Sequence, residues 1–165
     1  MATTTGDDNA WFSVGPVSSF PNLTESGTSV LCEPHSCDDA TTAPGCKVFQ
    51  VDGRQVEHIS NISNGNELRQ QVLVFRYKGK IHAIDNNCPH SSYPLSNGTP
   101  YDIEDFGIVL SAGITCPKHG WSFDLFTGTA DRSNYELRRW EVQLRPQTMG
   151  VESEDQEVWV RRKQQ

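Results

Sequence analysis

Two short runs carry the residue types capable of chemistry: Cys88-Pro89-His90 and Cys116-Pro117-Lys118-His119. Each supplies one thiol and one imidazole. Within a tight loop, a Cys and a His two or three residues apart can point at two neighbouring metal atoms or share one. Brought together, the two runs make a four-ligand set of Cys88, His90, Cys116 and His119. A second, looser group, Cys32, His35, Cys37 and Cys46, could bind zinc or carry a disulfide, but its spacing matches no established metal-binding pattern, and an odd number of thiols there reads as free, reduced cysteines. His82 falls in an expected strand and reads as structural or surface, and His58 reads as an exposed loop residue.

The elements around these residues are strands. Most segments are short, alternate with period two and are rich in Val, Phe, Tyr and Trp, with Gly, Pro and Asn clusters between them, an all-β pattern. Expected strands begin at Trp11 to Val14 and Lys47 to Val51, and Val72 to Tyr77 with Ile81 to Ile84 flank Lys78-Gly79-Lys80 as a hairpin. Trp121 to Phe126 runs into a Thr127-Gly128 turn, and Trp140, Val142 and Leu144 find a partner in Glu157 to Val160 across the polar connection Arg145 to Gln156. Glu67 to Gln71 offers a single helical turn, and nothing longer has helical periodicity. Pro21 to Gly45 and Asp52 to Asn66 read as polar surface insertions into one domain, with residues 1–10 as a flexible N-terminus and the domain proper over 11–163.

Composition excludes several classes. The 165 residues carry 14 Lys and Arg against 21 Asp and Glu, a net charge of −7, which disfavours nucleic-acid binding. No apolar run approaches the roughly 18 residues of a membrane helix. The N-terminus MATTTGDDNA has neither a basic nor an apolar leader region, so the expected location is cytoplasmic. No Gly-rich loop follows a strand, so nicotinamide or flavin oxidation falls to another protein.

Cys-x-His followed by Cys-x₂-His, with Pro after each Cys and Gly120-Trp121-Ser122-Phe123-Asp124 after the second His, resembles the Rieske [2Fe–2S] family. The likeness extends to Arg76-Tyr77-Lys78-Gly79-Lys80-Ile81-His82-Ala83-Ile84-Asp85 before the first run, and to Pro94-Leu95-Ser96-x-Gly98 and Phe123-Asp124-x-x-Thr127-Gly128 after each run. It is greatest toward small Rieske-type ferredoxins and stand-alone eukaryotic Rieske-domain proteins. One departure is the 25 residues between His90 and Cys116, more than is usual in the family. A longer hairpin around Tyr101 to Ser111 would absorb the excess.

The resemblance implies a β-sandwich base of antiparallel strands and a small cluster-binding subdomain from Asn86 to Gly98 and Thr115 to Thr127. It further implies one [2Fe–2S] cluster, with Cys88 and Cys116 on one iron and His90 and His119 on the other. Zinc is the rival for the same residues, but zinc modules usually pair Cys with Cys and His with His, whereas each run here is mixed. Neutral imidazoles leave less negative charge on the cluster than four thiolates would, which raises its potential. High-potential members of the family carry one further Cys in each ligand loop, absent here, so the expected potential lies low in the family's span, roughly −150 mV. No catalytic residue is expected, since no His follows His119 to build the mononuclear iron site of a Rieske oxygenase. The implied role is one-electron transfer as a soluble ferredoxin, in transient contact with a reductase or an oxygenase. The alternative is a small subunit of a larger oxidoreductase, and a zinc-bearing interaction module stands third.

Overall fold

A computed structural model describes residues 11–23, 34–36, 42–52, 55–59, 71–90, 93–146 and 156–163. In chain order its strands are β1 (Phe12–Pro16), β2 (Asn22–Leu23), β3 (Pro34–Ser36), β4 (Thr42–Pro44), β5 (Cys46–Asp52), β6 (Gln55–Ile59), β7 (Gln71–Tyr77), β8 (Lys80–Asp85), β9 (Thr99–Asp105), β10 (Ile108–Thr115), β11 (Ser122–Asp124), β12 (Trp140–Pro146) and β13 (Gln156–Arg162). The all-β expectation holds.

The sequence of β7, QVLVFRY, is apolar on both faces because both faces are covered. Leu73, Phe75 and Tyr77 face one core with Ile84, Leu95, Ile114 and Phe123. Val72 and Val74 face a second core with Ile81, Trp140, Val158 and Val160. The central sheet, in which β7 pairs β2, β5 and β8 and β6 extends β5, therefore lies between two three-stranded sheets, β1-β13-β12 and β11-β10-β9. The first closes the base, and the second carries the Cys116–His119 run between β10 and β11, while the Cys88–His90 run follows β8 of the central sheet.

Two hairpins have the same turn. Lys78-Gly79 joins β7 to β8, and Phe106-Gly107 joins β9 to β10, each with both residues at positive φ (46° and 81°, 51° and 77°). Two left-handed residues match the right-handed twist of the flanking strands, which makes two-residue connections favourable. The second hairpin spans the expected excess at Tyr101 to Ser111. The terminal hairpin also forms, with Val142 opposite Val160.

Both surface insertions need correction. Within Asp52 to Asn66, Gln55–Ile59 is the edge strand β6, and His58 stands opposite Phe49 and not in a loop. Its polar sequence mimics a loop because an edge position does not demand the apolar run of a central strand. Within Pro21 to Gly45, β2 pairs in parallel with β7, and Leu23 is buried in the core beside the Cys/His runs. β3 and β4 pair with each other. The single helical turn at Glu67 to Gln71 lies outside the described residues except for Gln71, which opens β7. Residues 1–10 and most of the connection from Arg145 to Gln156 also lie outside them.

Candidate metal centre

The first run leaves the end of β8 through Asp85 and Asn86, both buried. Asn86 is the anchor: its Nδ2 donates to Gln71 Oε1 at 3.1 Å, and its Oδ1 accepts the backbone N–H of Ser96 at 2.8 Å. One side chain thus ties the start of β7 to the 3₁₀ turn Leu95–Asn97 on the far side of the loop. Asp85 accepts Trp140 Nε1–H at 2.7 Å, while burial pushes its carboxyl above the usual carboxylate range. The Cys88 N–H donates to Tyr93 O at 2.9 Å and closes the loop.

The second run is built alike. The Cys116 N–H donates to Trp121 O at 2.8 Å, again to a carbonyl five residues on. Gly120 N–H returns to Cys116 O at 3.0 Å, and Gly120 sits at φ 73°, a conformation that favours glycine. Thr115 and Ser122 hydroxyls meet at 2.9 Å at the mouth of the loop. The two loops abut at Gly98, where a Cβ would lie 2.8 Å from Thr115 O and 2.9 Å from Leu95 O.

This framework brings the two expected cysteines into one core and the two expected histidines into ring contact. Cys88 and Cys116 are buried in one core cluster, and neither is in a disulfide. The rings of His90 and His119 lie 5.1 Å apart at 71°. His90 Nδ1 is buried and has no hydrogen-bond partner among the described residues. A buried imidazole nitrogen costs free energy unless something binds it, and a metal would. Among the described residues, no three His, Cys, Asp or Glu side chains group closely enough to hold a single ion. A tetrahedral zinc needs all four donors around one point, whereas a two-iron cluster asks only two donors of each metal. Two buried thiols, two adjacent imidazoles and an unpartnered ring nitrogen fit the latter.

The remaining candidates stand apart from this set. Cys46 is buried and disulfide-bonded, which corrects the expectation of free thiols for that residue; Cys32 and Cys37 lie outside the described residues. An odd count of three cannot tell which thiols pair, since proximity is decided by the fold. His82 is structural: burial, with Lys80 adding to it, brings its imidazole down to about 4, and its ring contacts Phe75 and Phe126 at 5.5 and 5.3 Å. Phe123 is core packing. Trp121 is not only that, because its indole stacks on His90 at 3.9 Å. Tyr135, Asp131 and Arg132 around that stack, and Asn86 beneath the first loop, were not legible in the sequence. None has a motif spacing, and Tyr135 reaches His90 only because a third loop folds over the site.

The family model of the Rieske [2Fe-2S] domain matches residues 46–138. This chain belongs to the Rieske [2Fe–2S] domain family. Its cofactor is accordingly one Rieske-type [2Fe–2S] cluster, which supplies one-electron chemistry. The Rieske domain is 30% identical over 117 residues to the 4beta-methylsterol monooxygenase of Methylococcus capsulatus, covering 68% of this chain and 28% of that protein. It is 34% identical over 64 residues to the 3-phenylpropionate/cinnamic acid dioxygenase ferredoxin subunit of Photorhabdus laumondii, covering 39% of this chain and 53% of the subunit. Both matched relatives thus extend well beyond the shared region. Among solved structures it resembles a chain described as the NADH-dependent nitrite reductase small subunit of Mycobacterium tuberculosis, at TM-score 0.51 and 16% identity, covering 95% of this chain and 98% of that one. That likeness shows the fold. No helix among the described residues is long and apolar enough to cross a membrane.

Proposed function

We propose that residues 11–163 form a single Rieske domain in which Cys88, His90, Cys116 and His119 ligate the cluster, the two Cys on one iron and the two His on the other. The domain then works as a low-potential ferredoxin, passing single electrons between a reductase and an oxygenase or other oxidoreductase. The observation that carries this reading is the pair of like-built loops, which bury both thiols and leave His90 Nδ1 without a partner.

The chain's own residues divide the work. Asn86, Gly98 and the two Cys N–H bonds set the loops. Leu95, Ile114, Phe123 and Leu125 form a dry floor beneath the thiols, where low dielectric disfavours additional charge. The two imidazoles lie on the outer side, where His119 is exposed. The net charge of −7 would steer a basic partner face to this domain, and a weak contact suits turnover. Similarity to a dioxygenase ferredoxin subunit supports the same reading. Cytoplasmic placement goes with it.

The test is chemical analysis of anaerobically purified protein with EPR after dithionite reduction. Two irons and two sulfides per chain, a rhombic signal with nitrogen couplings and a midpoint of roughly −150 mV are expected. Cys88→Ser and Cys116→Ser should each lose the cluster. A colourless or zinc-loaded protein after reconstitution, or a midpoint well above 0 mV, would overturn the reading.

One observation favours a permanent subunit instead. At the β9–β10 tip Phe106 is 97% exposed and Ile108, Val109 and Leu110 follow it, also exposed, beside exposed Glu104 and Asp105. Consecutive exposed apolar residues are uncommon on an unpartnered protein. Salt-resistant co-purification of a defined complex that Phe106→Ser with Leu110→Ser disperses would decide for the subunit. A monomer with salt-sensitive electron-transfer rates would decide for the ferredoxin.

A further inference from the structure

The two imidazoles are covered unequally. His119 is exposed, whereas His90 is half-buried beneath Trp121, whose indole is stacked on it at 3.9 Å with an interplanar angle of 8°. Tyr135 stands edge-on to both rings, 5.6 Å from His90 and 5.3 Å from Trp121. The Trp121 indole is itself braced. The Arg132 guanidinium lies 5.5 Å from its ring centroid and donates to Asp131 at 3.3 and 3.1 Å. Asp131 in turn accepts the Ser122 N–H at 3.2 Å, while the Asp131 N–H donates to Ser122 O at 2.8 Å. Ala130 N–H to Tyr135 O closes this third loop at 3.3 Å. A parallel stack, an edge contact and a cation beside one indole are together a strong orientational constraint.

Resting on the ligation proposed above, we infer that Trp121 is a positioning residue, braced by Tyr135 and Arg132, that holds the His90 imidazole in one orientation and covers one of its faces. The two histidines are then inequivalent, His90 held and half-covered, His119 open to solvent and to any docked acceptor. Reduction adds one negative charge to the site, and apolar cover disfavours added charge. Trp121 therefore holds the potential down as well as the ring in place.

The experiment uses cluster-loaded, reduced protein soaked briefly in heavy water and frozen, with pulsed EPR reading the exchangeable imidazole protons. In the wild type, one imidazole should exchange measurably more slowly than the other. Trp121→Ala should make both exchange equally fast and shift the midpoint upward, while Trp121→Phe, which keeps a stacking ring, should restore the slow imidazole and the original midpoint. Tyr135→Ala should speed the slow exchange severalfold and serves as the test if Trp121→Ala does not accumulate the cluster. Equal exchange of both imidazoles in the wild type, or Tyr135→Ala and Trp121→Ala both indistinguishable from it, would overturn the inference. Failure of the ligation itself shows separately, as a spectrum without two nitrogen couplings.

Discussion

The two Cys/His loops share one design and differ in what holds it. In each, a Cys N–H closes the loop onto a carbonyl five residues on, and the thiol faces the same core. The first loop is held from below by Asn86, fully buried, and its histidine is half-covered. The second is held from above, by a left-handed Gly120 and by the Ser122–Asp131 bonds, and its residues from Pro117 to Gly120 are exposed. A buried polar anchor is costly to lose because its partners cannot turn to water, whereas an exposed turn can relax. The first loop thus hangs on a buried anchor, and the second is the half that meets solvent.

The largest expected effect is therefore on the first loop. Asn86→Ala leaves Gln71 Oε1 and the Ser96 N–H without a partner in a buried place and should cost about 3 kcal/mol by denaturant unfolding. A loss below about 1 kcal/mol would dissolve the contrast between the loops. Next comes pH. His82, on the strand leading into the first loop, is brought to about 4 in the fold against 6.5 when unfolded. The unfolded chain then binds the extra proton, so stability should fall as pH drops from 6.5 towards 4, by up to about 3 kcal/mol at the lower end and about 2 kcal/mol at pH 5. Asp85, raised by burial, works in the opposite sense and offsets part of this. Denaturation of wild type and His82→Gln at pH 7 and pH 5 checks it: the variant should lose less on acidification.

The seam between the loops comes third. At Gly98, added Cβ contacts with two backbone carbonyls should cost about 2 kcal/mol in Gly98→Ala, and both thiols should lose metal affinity together, read as iron per chain. The smallest effect belongs to the second loop. Gly120→Ala meets open space but must hold φ 73°, so about 1 kcal/mol is expected, with the first loop's nitrogen coupling unchanged by EPR. An equal disturbance of both couplings would mean the loops act as one unit.

Much of the fold was legible because β-structure writes itself locally. Lys78-Gly79 between two apolar runs specifies a hairpin, and Val142 against Val160 keeps the same face inward along the terminal pair. The edge strand β6 and the parallel strand β2 were not legible, because β6 keeps polar residues at the sheet edge and β2 is only two residues long, so their pairing is a fact about distant neighbours. Cys46 followed the same rule, since pairing of a thiol depends on what the fold brings near it.

By itself the sequence determined the family and the strand class, and it named the four candidate ligands. Cys-Pro-His and Cys-Pro-Lys-His fall within single loops, where spacing along the chain nearly equals spacing in space. Tertiary structure alone decided that Asn86 carries the first loop, that Gly98 joins it to the second, and that Trp121 and Tyr135 cover His90 while His119 stays open. Those contacts link residues 10 to 45 positions apart that share no periodicity. Only packing of the β9–β11 sheet against the central one brings them together around the two loops.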